Sequence, residues 1–226
     1  MIEILSGTTS EESSLAILRN LIQMRPYDLW SFEAKAFDSG YSTVAGVDEA
    51  GRGPLAGPVV SAAVMLPASF PGSGITDSKK LSPRKRKQFY ERIYTFADSI
   101  GIGIVDAIEI DRINILQASL LSMSMAVENL NPQPGLLLID GTFPIASNLP
   151  QQSIPKGDSL SISIAAASII AKVTRDRLMQ RYDQDYPQFG FSRHKGYPTR
   201  AHKEAIKNFG YCPIHRRSFR GVREYL

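Results

Sequence analysis

The sequence predicts an α/β fold in which a central mixed β-sheet is flanked by helices on both faces. Two apolar segments, residues 44–48 and 59–66, are joined by a glycine-rich turn, as in a β-hairpin. Further strand-like segments then alternate with helical ones, which is the pattern of a layered α/β domain. One of them, residues 136–140, is continuously apolar, as expected for a strand that is buried on both faces.

The segments between the hairpin and this buried strand predict two helices around a third strand. Ser82 and Pro83 supply a capping hydroxyl and a proline at the first helical position, so a helix should run to about Ala97. Residues 100–105 are predicted to be a strand. In residues 108–130 apolar side chains recur every three or four positions, which predicts one amphipathic helix.

The two ends of the chain are both predicted to be helical. Residues 1–40 are interpreted as an N-terminal helical extension, and residues 41–226 as the main domain. A long helix is expected at about 159–186, where alanines give a thin face for close packing, and a short one at 199–209. The region from Ser192 onward has nine Lys/Arg and two acidic residues, so the helical C-terminal region is strongly basic.

Composition and charge exclude several classes of protein. No apolar run reaches the roughly 18 residues that a membrane span needs, and the N-terminus lacks the pattern of a signal peptide. The only cysteine, Cys212, excludes an intramolecular disulfide and a thiolate cluster, so we expect a cytoplasmic protein. The net charge of +4 is concentrated in the C-terminal region and in residues 79–87. Such patches suggest a polyanionic partner, although a solvated surface explains them equally well.

Four acidic residues stand where acids are not needed for solubility. Asp48 and Glu49 close the first strand, Asp140 closes the buried strand, and Asp158 precedes the long helix. Ligand sites of open α/β sheets lie at strand ends, so Asp48 and Asp140 are expected to meet there. Oxygen ligands without convergent His or Cys favour Mg²⁺ or Mn²⁺ over Zn²⁺. Two ions are expected, one to activate the attacking water and one to stabilise the leaving oxygen.

Each acid also has a simpler interpretation. Asp158 is well placed to cap the helix that follows it, and Asp140-Gly141 fits a tight turn. Adjacent residues of a regular strand face opposite sides, so Asp48 and Glu49 serve one site only if the backbone deforms near Glu49. The histidines lack the spacing of a zinc-protease site and are interpreted as substrate-contacting or structural; they are His194, His202 and His215.

Six short segments carry a recognisable combination of motifs. They are Asp48-Glu49-Ala50-Gly51-Arg52-Gly53, Thr76-Asp77-Ser78-Lys79-Lys80-Leu81, Lys156-Gly157-Asp158, residues 165–176, His194-Lys195-Gly196-Tyr197-Pro198-Thr199 and His215-Arg216-Arg217-Ser218-Phe219. Taken together and in this order, they resemble the ribonuclease HII family, the type 2 ribonucleases H, over about residues 42–219.

The resemblance implies a ribonuclease-H-like fold and a metal-dependent endonuclease. Such an enzyme would hydrolyse the RNA strand of RNA–DNA hybrids and incise 5′ of single ribonucleotides in duplex DNA, leaving 5′-phosphate and 3′-hydroxyl ends. Its metal site would consist of Asp48, Glu49, Asp140 and Asp158, with Asp140 assigned from its position after the buried strand. Mg²⁺ or Mn²⁺, two ions during catalysis, would be the cofactor.

The resemblance also implies which residues recognise the substrate. Gly51-Arg52-Gly53 would sense the RNA–DNA junction, because glycine backbone can reach the 2′-hydroxyl that distinguishes RNA from DNA. Tyr197 would stack on a neighbouring sugar or base, although a partly buried structural tyrosine is the simpler interpretation. The candidate phosphate contacts are Lys79, Lys172, Arg175 and Lys195, of which Lys172 and Arg175 can share one helix face.

The expected partners are RNA–DNA hybrid and ribonucleotide-containing duplex DNA, bound by a monomer. The C-terminus shows no evident sliding-clamp peptide. Residues 1–40 are expected to be a packing arm, since they are too short for the separate nucleic-acid-binding domain of type 3 relatives. Two alternatives stay open: a type 3 ribonuclease H, and a catalytically silent module that binds duplexes.

Overall fold

The computed structural model describes residues 29–79 and 81–226, so residues 1–28 of the predicted helical extension and the basic Lys80 lie outside the described residues. Five strands form one sheet in the order β3-β2-β1-β4-β5. The β1 strand is antiparallel to β2 and parallel to β4, which confirms the predicted mixed sheet. The strands are β1 (Val44–Ala50), β2 (Val59–Met65), β3 (Ser99–Val105), β4 (Leu136–Asp140) and β5 (Gln151–Ile154).

Helices cover both faces of this sheet, as predicted. The described helices are α1 (Ser31–Asp38), α2 (Pro83–Phe96), α3 (Ala107–Ile113), α4 (Ile115–Glu128), α5 (Ile162–Asp185), α6 (Phe191–His194) and α7 (Arg200–Phe209). On one face, α5 and α2 pack against the inner strands in a core cluster that includes Ala62, Val64 and Ile169. On the other face, α4 packs against Val47, Ala63 and Leu137. Among the described helices, none has the length and apolar character to cross a bilayer.

Three element predictions are corrected by the structure. The single helix expected at 108–130 is two helices, because Asn114 adopts a φ of +67° between them and its side chain caps α4 at the N–H groups of Leu116 and Gln117. The short strand β5 was not predicted, since its residues are mostly polar. The long helix begins at Ile162 rather than 159, and its N-cap is Ser161.

Both ends of the described chain pack against the rest of the fold. The described part of the extension, α1, contributes Ala36 to a cluster with Val44, Leu136 and Leu138 on the α5 side of the sheet. The C-terminal region is helical in part: α6 and α7 are followed by irregular chain and a short 3₁₀ turn at Arg223–Tyr225. Its buried residues form a separate small core with Leu55 and Met179. This core lies beneath the glycine-rich turn that follows β1.

Candidate active site

Asp48 and Asp140 lie side by side at the ends of two parallel strands. The β1–β4 pairing joins Val47 to Ile139, so the next positions in the same register are Asp48 and Asp140. Residues at matching positions of neighbouring strands point to the same face, which here is the face covered by α5. One oxygen each from Asp48, Glu49 and Asp140 lies within 4.8 Å of the others. The fold therefore brings three of the four predicted acids together.

Glu49 joins this cluster although the strand pairing around it is regular. The pairing of β1 with β2 is uninterrupted from Ala45 to Ala50, so a deformation near Glu49 is not required for both acids to contribute. The paired positions of β4 end opposite Val47, which leaves the last residues of β1 at the open end of the strand. The longer Glu49 side chain reaches the cluster from there, and it also pairs with Arg52 at 3.5 Å.

Asp158 lies in a 3₁₀ turn, Gly157–Ser159, just before α5. The alternative that it caps this helix is wrong, because the side chain of Ser161 is the cap and accepts from the Ile164 N–H. The turn is joined to the acid cluster: Gly157 N–H donates to Asp140 Oδ1 at 2.6 Å, and Asp158 N–H lies 3.4 Å from the same oxygen. Asp158 is buried, and its carboxyl group is not one of the three that cluster.

The electrostatics of the cluster favour a bound cation. Burial, together with the charges of Glu49 and Asp140, raises the pKa of Asp48 well above its ordinary value, and a hydrogen bond from Ser168 offsets this only in part. Burial also raises the pKa of Glu49, although Arg52 lowers it. Ligands on opposite sides of Mg²⁺ are about 4.2 Å apart, so three oxygens within 4.8 Å fit one ion after small side-chain adjustments. The donor set thus suits a hard divalent ion.

Six of the eight predicted substrate-binding residues line one pocket of about 280 Å³ beside the cluster. These six are Gly51, Arg52, Gly53, Lys79, Lys172 and Tyr197. Glu49 of the acid cluster also lines the pocket. Tyr197 is 40% exposed, and its ring lies 5.9 Å from the Lys172 Nζ. Partial burial lowers the pKa of Lys79, but the carboxylates of Asp48, Asp158, Asp77 and Glu49 together raise it above its ordinary value, so its ammonium is held charged at the edge of the site.

The other two predicted phosphate contacts are placed differently. Arg175 is 1% exposed and donates to the carbonyls of Pro58, Ala56 and Lys195 at 2.9, 3.0 and 3.0 Å. A buried guanidinium that is bonded to three carbonyls cannot also bind a phosphate, so this prediction for Arg175 is corrected: the residue fixes the backbone. The Lys195 Nζ donates to the carbonyl of Ser192, outside the pocket lining.

Three functional supports were missed by sequence reasoning. Ser168 bonds to Asp48, and its hydroxyl lies 2.9 Å from that of Ser78. Arg216 is fully buried and donates to the carbonyls of Gly51, Arg52 and Gly57. All three lie inside segments that matched the family motifs. Their positions within these motifs were the only indication in the sequence that they matter. The residue types alone do not show which carbonyl or carboxyl group each side chain contacts.

The histidines form a buried network behind Tyr197. His202 Nδ1 lies 2.9 Å from the Tyr197 carbonyl, and His202 Nε2 lies 3.0 Å from His215 Nε2. Burial lowers the pKa of both imidazoles to about 4, so both rings are neutral at physiological pH. Neutral rings satisfy every contact if His202 donates to Tyr197 and His215 donates to His202. Both residues are thus structural rather than substrate-contacting.

The fold and the site define a ribonuclease-H-like, metal-dependent nuclease: a mixed sheet of order β3-β2-β1-β4-β5 with carboxylates at the adjacent ends of β1 and β4. Comparison with known proteins narrows this class. The family model for ribonuclease HII matches residues 45–222. The chain belongs to the ribonuclease HII family, whose members are divalent-metal-dependent endoribonucleases that act on RNA–DNA hybrids.

Individual relatives agree with this assignment. The chain is 58% identical to the ribonuclease HII of Geobacter sulfurreducens over 198 residues, which cover 88% of this chain and 91% of the relative. Its fold matches the ribonuclease H2 of Pyrococcus horikoshii OT3 with a TM-score of 0.68 and 30% identity, covering 81% and 96% of the two chains. It also resembles the Archaeoglobus fulgidus ribonuclease HII, solved in complex with PCNA, with a TM-score of 0.65, 25% identity and coverages of 79% and 95%.

Proposed function

We propose that this chain incises duplex DNA 5′ of single embedded ribonucleotides as well as cutting the RNA strand of hybrids, leaving 5′-phosphate and 3′-hydroxyl ends. One observation carries this proposal: Glu49 belongs both to the acid cluster and to the lining of the pocket that contains Gly51, Gly53 and Tyr197. A scissile phosphate at the carboxylates and a ribose in the pocket are then neighbours. The substrates are RNA–DNA hybrid and ribonucleotide-containing duplex DNA.

Asp48, Glu49, Asp140 and Asp158 are the residues that would hold Mg²⁺ or Mn²⁺, two ions in our proposal. Divalent ions at such a site supply a nucleophilic water and stabilise the leaving oxygen. The chain's own contribution is to keep the carboxylates fixed: Ser168 holds Asp48, and the Gly157 N–H holds Asp140. Both bonds orient the carboxyl groups as ligands before an ion arrives.

Recognition of the ribose is assigned to the glycine turn and Tyr197. Arg216 takes the carbonyls of Gly51 and Arg52, so the turn is fixed by a buried group rather than by the substrate. A fixed turn loses little entropy on binding. Glycine backbone that borders the pocket can then approach the 2′-hydroxyl, while the exposed ring of Tyr197 stacks on the adjoining sugar. Lys79 and Lys172 are the phosphate contacts that the pocket retains.

The test is cleavage of a labelled DNA duplex with one ribonucleotide, beside a full RNA–DNA hybrid, with Mg²⁺, Mn²⁺ or EDTA. We expect a metal-dependent cut 5′ of the lone ribonucleotide. The 5′-phosphate and 3′-hydroxyl ends of the products can be identified by testing whether a ligase rejoins them. Cleavage of the hybrid alone would overturn the junction assignment and favour type 3 behaviour. Binding of both duplexes with no cleavage under either metal would indicate a silent binding module.

We also propose that the chain acts as a monomer in the cytoplasm, where the chromosomes of its bacterial relatives lie. The pocket and the acid cluster are both built from one chain, so the proposed site needs no second copy. A sedimentation measurement on the free protein tests the oligomeric state, and a dimer at micromolar concentration would contradict it.

A further inference from the structure

Glu33, on α1 of the N-terminal extension, is a buried carboxyl group that the proposed chemistry does not use. It is 2% exposed, and its Oε1 accepts hydrogen bonds from the Ser161 hydroxyl at 2.6 Å, the Ser163 N–H at 3.0 Å and the Ser163 hydroxyl. Burial raises the pKa of Glu33 above its ordinary value, and the hydrogen bonds from the two serines offset this only in part. A side chain placed for solubility would not be desolvated in this way. Glu33 therefore has a specific task at the start of α5.

The contacts of Glu33 lead directly to the acid cluster. Its partner Ser161 caps α5, and the Ser161 N–H donates to the Gly157 carbonyl at 2.8 Å. The Gly157 N–H in turn donates to Asp140 Oδ1 at 2.6 Å. The turn between Gly157 and Ser161 is thus held at one end by Asp140 and at the other by Glu33. Asp158 lies inside this turn.

A second contact fixes the same junction. The Ile162 N–H, at the first residue of α5, donates to the Leu29 carbonyl at 2.8 Å, just before α1. The extension therefore satisfies the N–H groups of Ile162 and Ser163 in the first turn of α5, which have no partner within the helix. A carboxylate at this end of a helix also interacts favourably with the helix dipole. Groups of the extension therefore accept hydrogen bonds that water would otherwise accept, at the point where the turn of Asp158 joins α5.

We propose that Glu33 is a positioning residue for the metal site: it holds the turn that carries Asp158 and contacts Asp140, and so sets the affinity of the site for its divalent ion. This inference rests on the proposed metal role of Asp140 and Asp158. Groups that orient metal ligands from behind change metal affinity by about 10–100-fold when removed. The extension thus contributes to the site rather than only to packing.

The test uses Glu33→Ala, Glu33→Gln and the control Phe32→Ala in the full chain. Phe32 is on the same helix but packs against the apolar cluster around Val44 and Leu138. Mn²⁺ affinity is measured by calorimetry without substrate, and cleavage of the hybrid is measured against Mn²⁺ concentration. Removal of the carboxyl group should weaken Mn²⁺ binding about tenfold and raise the Mn²⁺ needed for half-maximal rate equally. The rate at saturating Mn²⁺ should change little.

The two companion variants separate positioning from stability. Glu33→Gln keeps an oxygen that accepts from Ser161 and Ser163, so its Mn²⁺ affinity should stay within about threefold of wild type, below the loss of about 10–100-fold that follows removal of an orienting group. Phe32→Ala should lower Tm with no change in Mn²⁺ affinity. If Glu33→Ala does not fold, Ser161→Ala replaces it, since that change removes the link between Glu33 and the turn.

Unchanged Mn²⁺ affinity in Glu33→Ala, or in Ser161→Ala where that replaces it, would overturn the inference. So would an equal loss in Phe32→Ala, because any damage to α1 would then have the same effect. A wild-type chain that binds Mn²⁺ but does not cut either duplex would contradict the proposed function and leave the calorimetric result for Glu33 decisive. A wild-type chain without Mn²⁺ binding would contradict both.

Discussion

Asp140 differs from the other clustered acids in that backbone N–H groups of a separate loop donate to it. Gly157 donates at 2.6 Å, so the carboxyl group both faces Asp48 and holds the turn of Asp158. An amide at this position keeps the oxygen that accepts from Gly157 but loses the negative charge. The change therefore separates the structural role of the residue from its role toward a cation.

We expect Asp140→Asn to lower the cleavage rate at least about a hundredfold, the scale of losing one electrostatic contact to a transition state. Affinity for the hybrid should stay within a few-fold, because phosphate contacts dominate duplex binding. Single-turnover cleavage and a binding titration in EDTA measure the two effects. The exposed Asp38→Asn serves as the control. Cleavage by Asp140→Asn at the wild-type rate would remove Asp140 from the site.

Tyr197 supports a second prediction at the residue scale. Its carbonyl is held by His202 and its ring borders the Gly53 backbone, where a built Cβ would lie 3.7 Å from the ring. Tyr197→Ala should cost about 1–3 kcal/mol at the junction, the range for one aromatic stack. Cleavage at a single ribonucleotide should fall correspondingly, while general duplex binding changes less. Tyr225→Ala, equally exposed at 43%, is the control. Equal losses in cleavage and binding would exclude a role in specificity.

The sequence predicted the acids better than the basic residues, for a physical reason. Asp48 and Asp140 follow apolar strands, and the geometry of a parallel pair brings such positions together. A guanidinium has no comparable constraint, because it can bind phosphate in solvent or carbonyls in the core. Arg175 and Arg216 do the latter, and nothing in their local sequence distinguishes them from the exposed arginines nearby. Their role is visible only once the turn around Ala56 is folded.

At the scale of elements, α5 is seated directly on the backbone of β1. A Cβ added to Gly46 would lie 2.1 Å from the carbonyl carbon of Ser163, closer than atoms can approach. The absence of a side chain at Gly46 thus sets the distance between the strand that carries Asp48 and the helix that carries Ser168. The same helix begins at the contacts of Glu33.

Gly46→Ala should therefore destabilise the fold by about 1–3 kcal/mol, the usual cost of overpacking a core. The helix must also move away from Asp48, so cleavage should fall even where the protein is fully folded. Urea unfolding and activity at low temperature measure these effects. Gly53→Ala is the control for the unfolding measurement alone, because its added Cβ finds only an ordinary contact at 3.7 Å but borders the proposed ribose pocket. Equal stability of the Gly46→Ala protein would contradict the close helix–strand contact.

The elements that sequence patterns failed to define are set by individual contacts, one of them local and the others made with distant parts of the chain. Periodicity marked the helical character of residues 108–130, but the break at Asn114 depends on one residue with positive φ and a side-chain cap. Strand β5 is short and largely polar, and it is held in an extended conformation by pairing with β4. The turn of Asp158 likewise depends on Asp140 and Glu33, which are distant in sequence.

For the whole molecule, the acid cluster links stability to pH. The pKa values of Asp48 and Glu49 are raised in the folded state, above unfolded values near 3.8 and 4.5. As pH rises past those unfolded values, the unfolded chain releases these protons first, so the metal-free fold loses stability until the pH passes the folded pKa values. His202 and His215 act in the opposite direction: their pKa values of about 4 remove stability as pH falls below 6.5.

The effect of a divalent ion isolates the carboxylates from the histidines. An ion binds the ionised carboxylates of the folded state. At an ion concentration of 100 times Kd, this binding adds about 2.7 kcal/mol to the free energy of unfolding. At low pH it competes with protons for the same oxygens. The rise in Tm on adding Mg²⁺ or Mn²⁺ should therefore be larger at pH 8 than at pH 5, and Asp48→Asn should lose most of it. Thermal unfolding at both pH values, with and without metal, measures this. A metal-induced rise that is equal at the two pH values, or unchanged in Asp48→Asn, would mean that the ions bind elsewhere on the molecule.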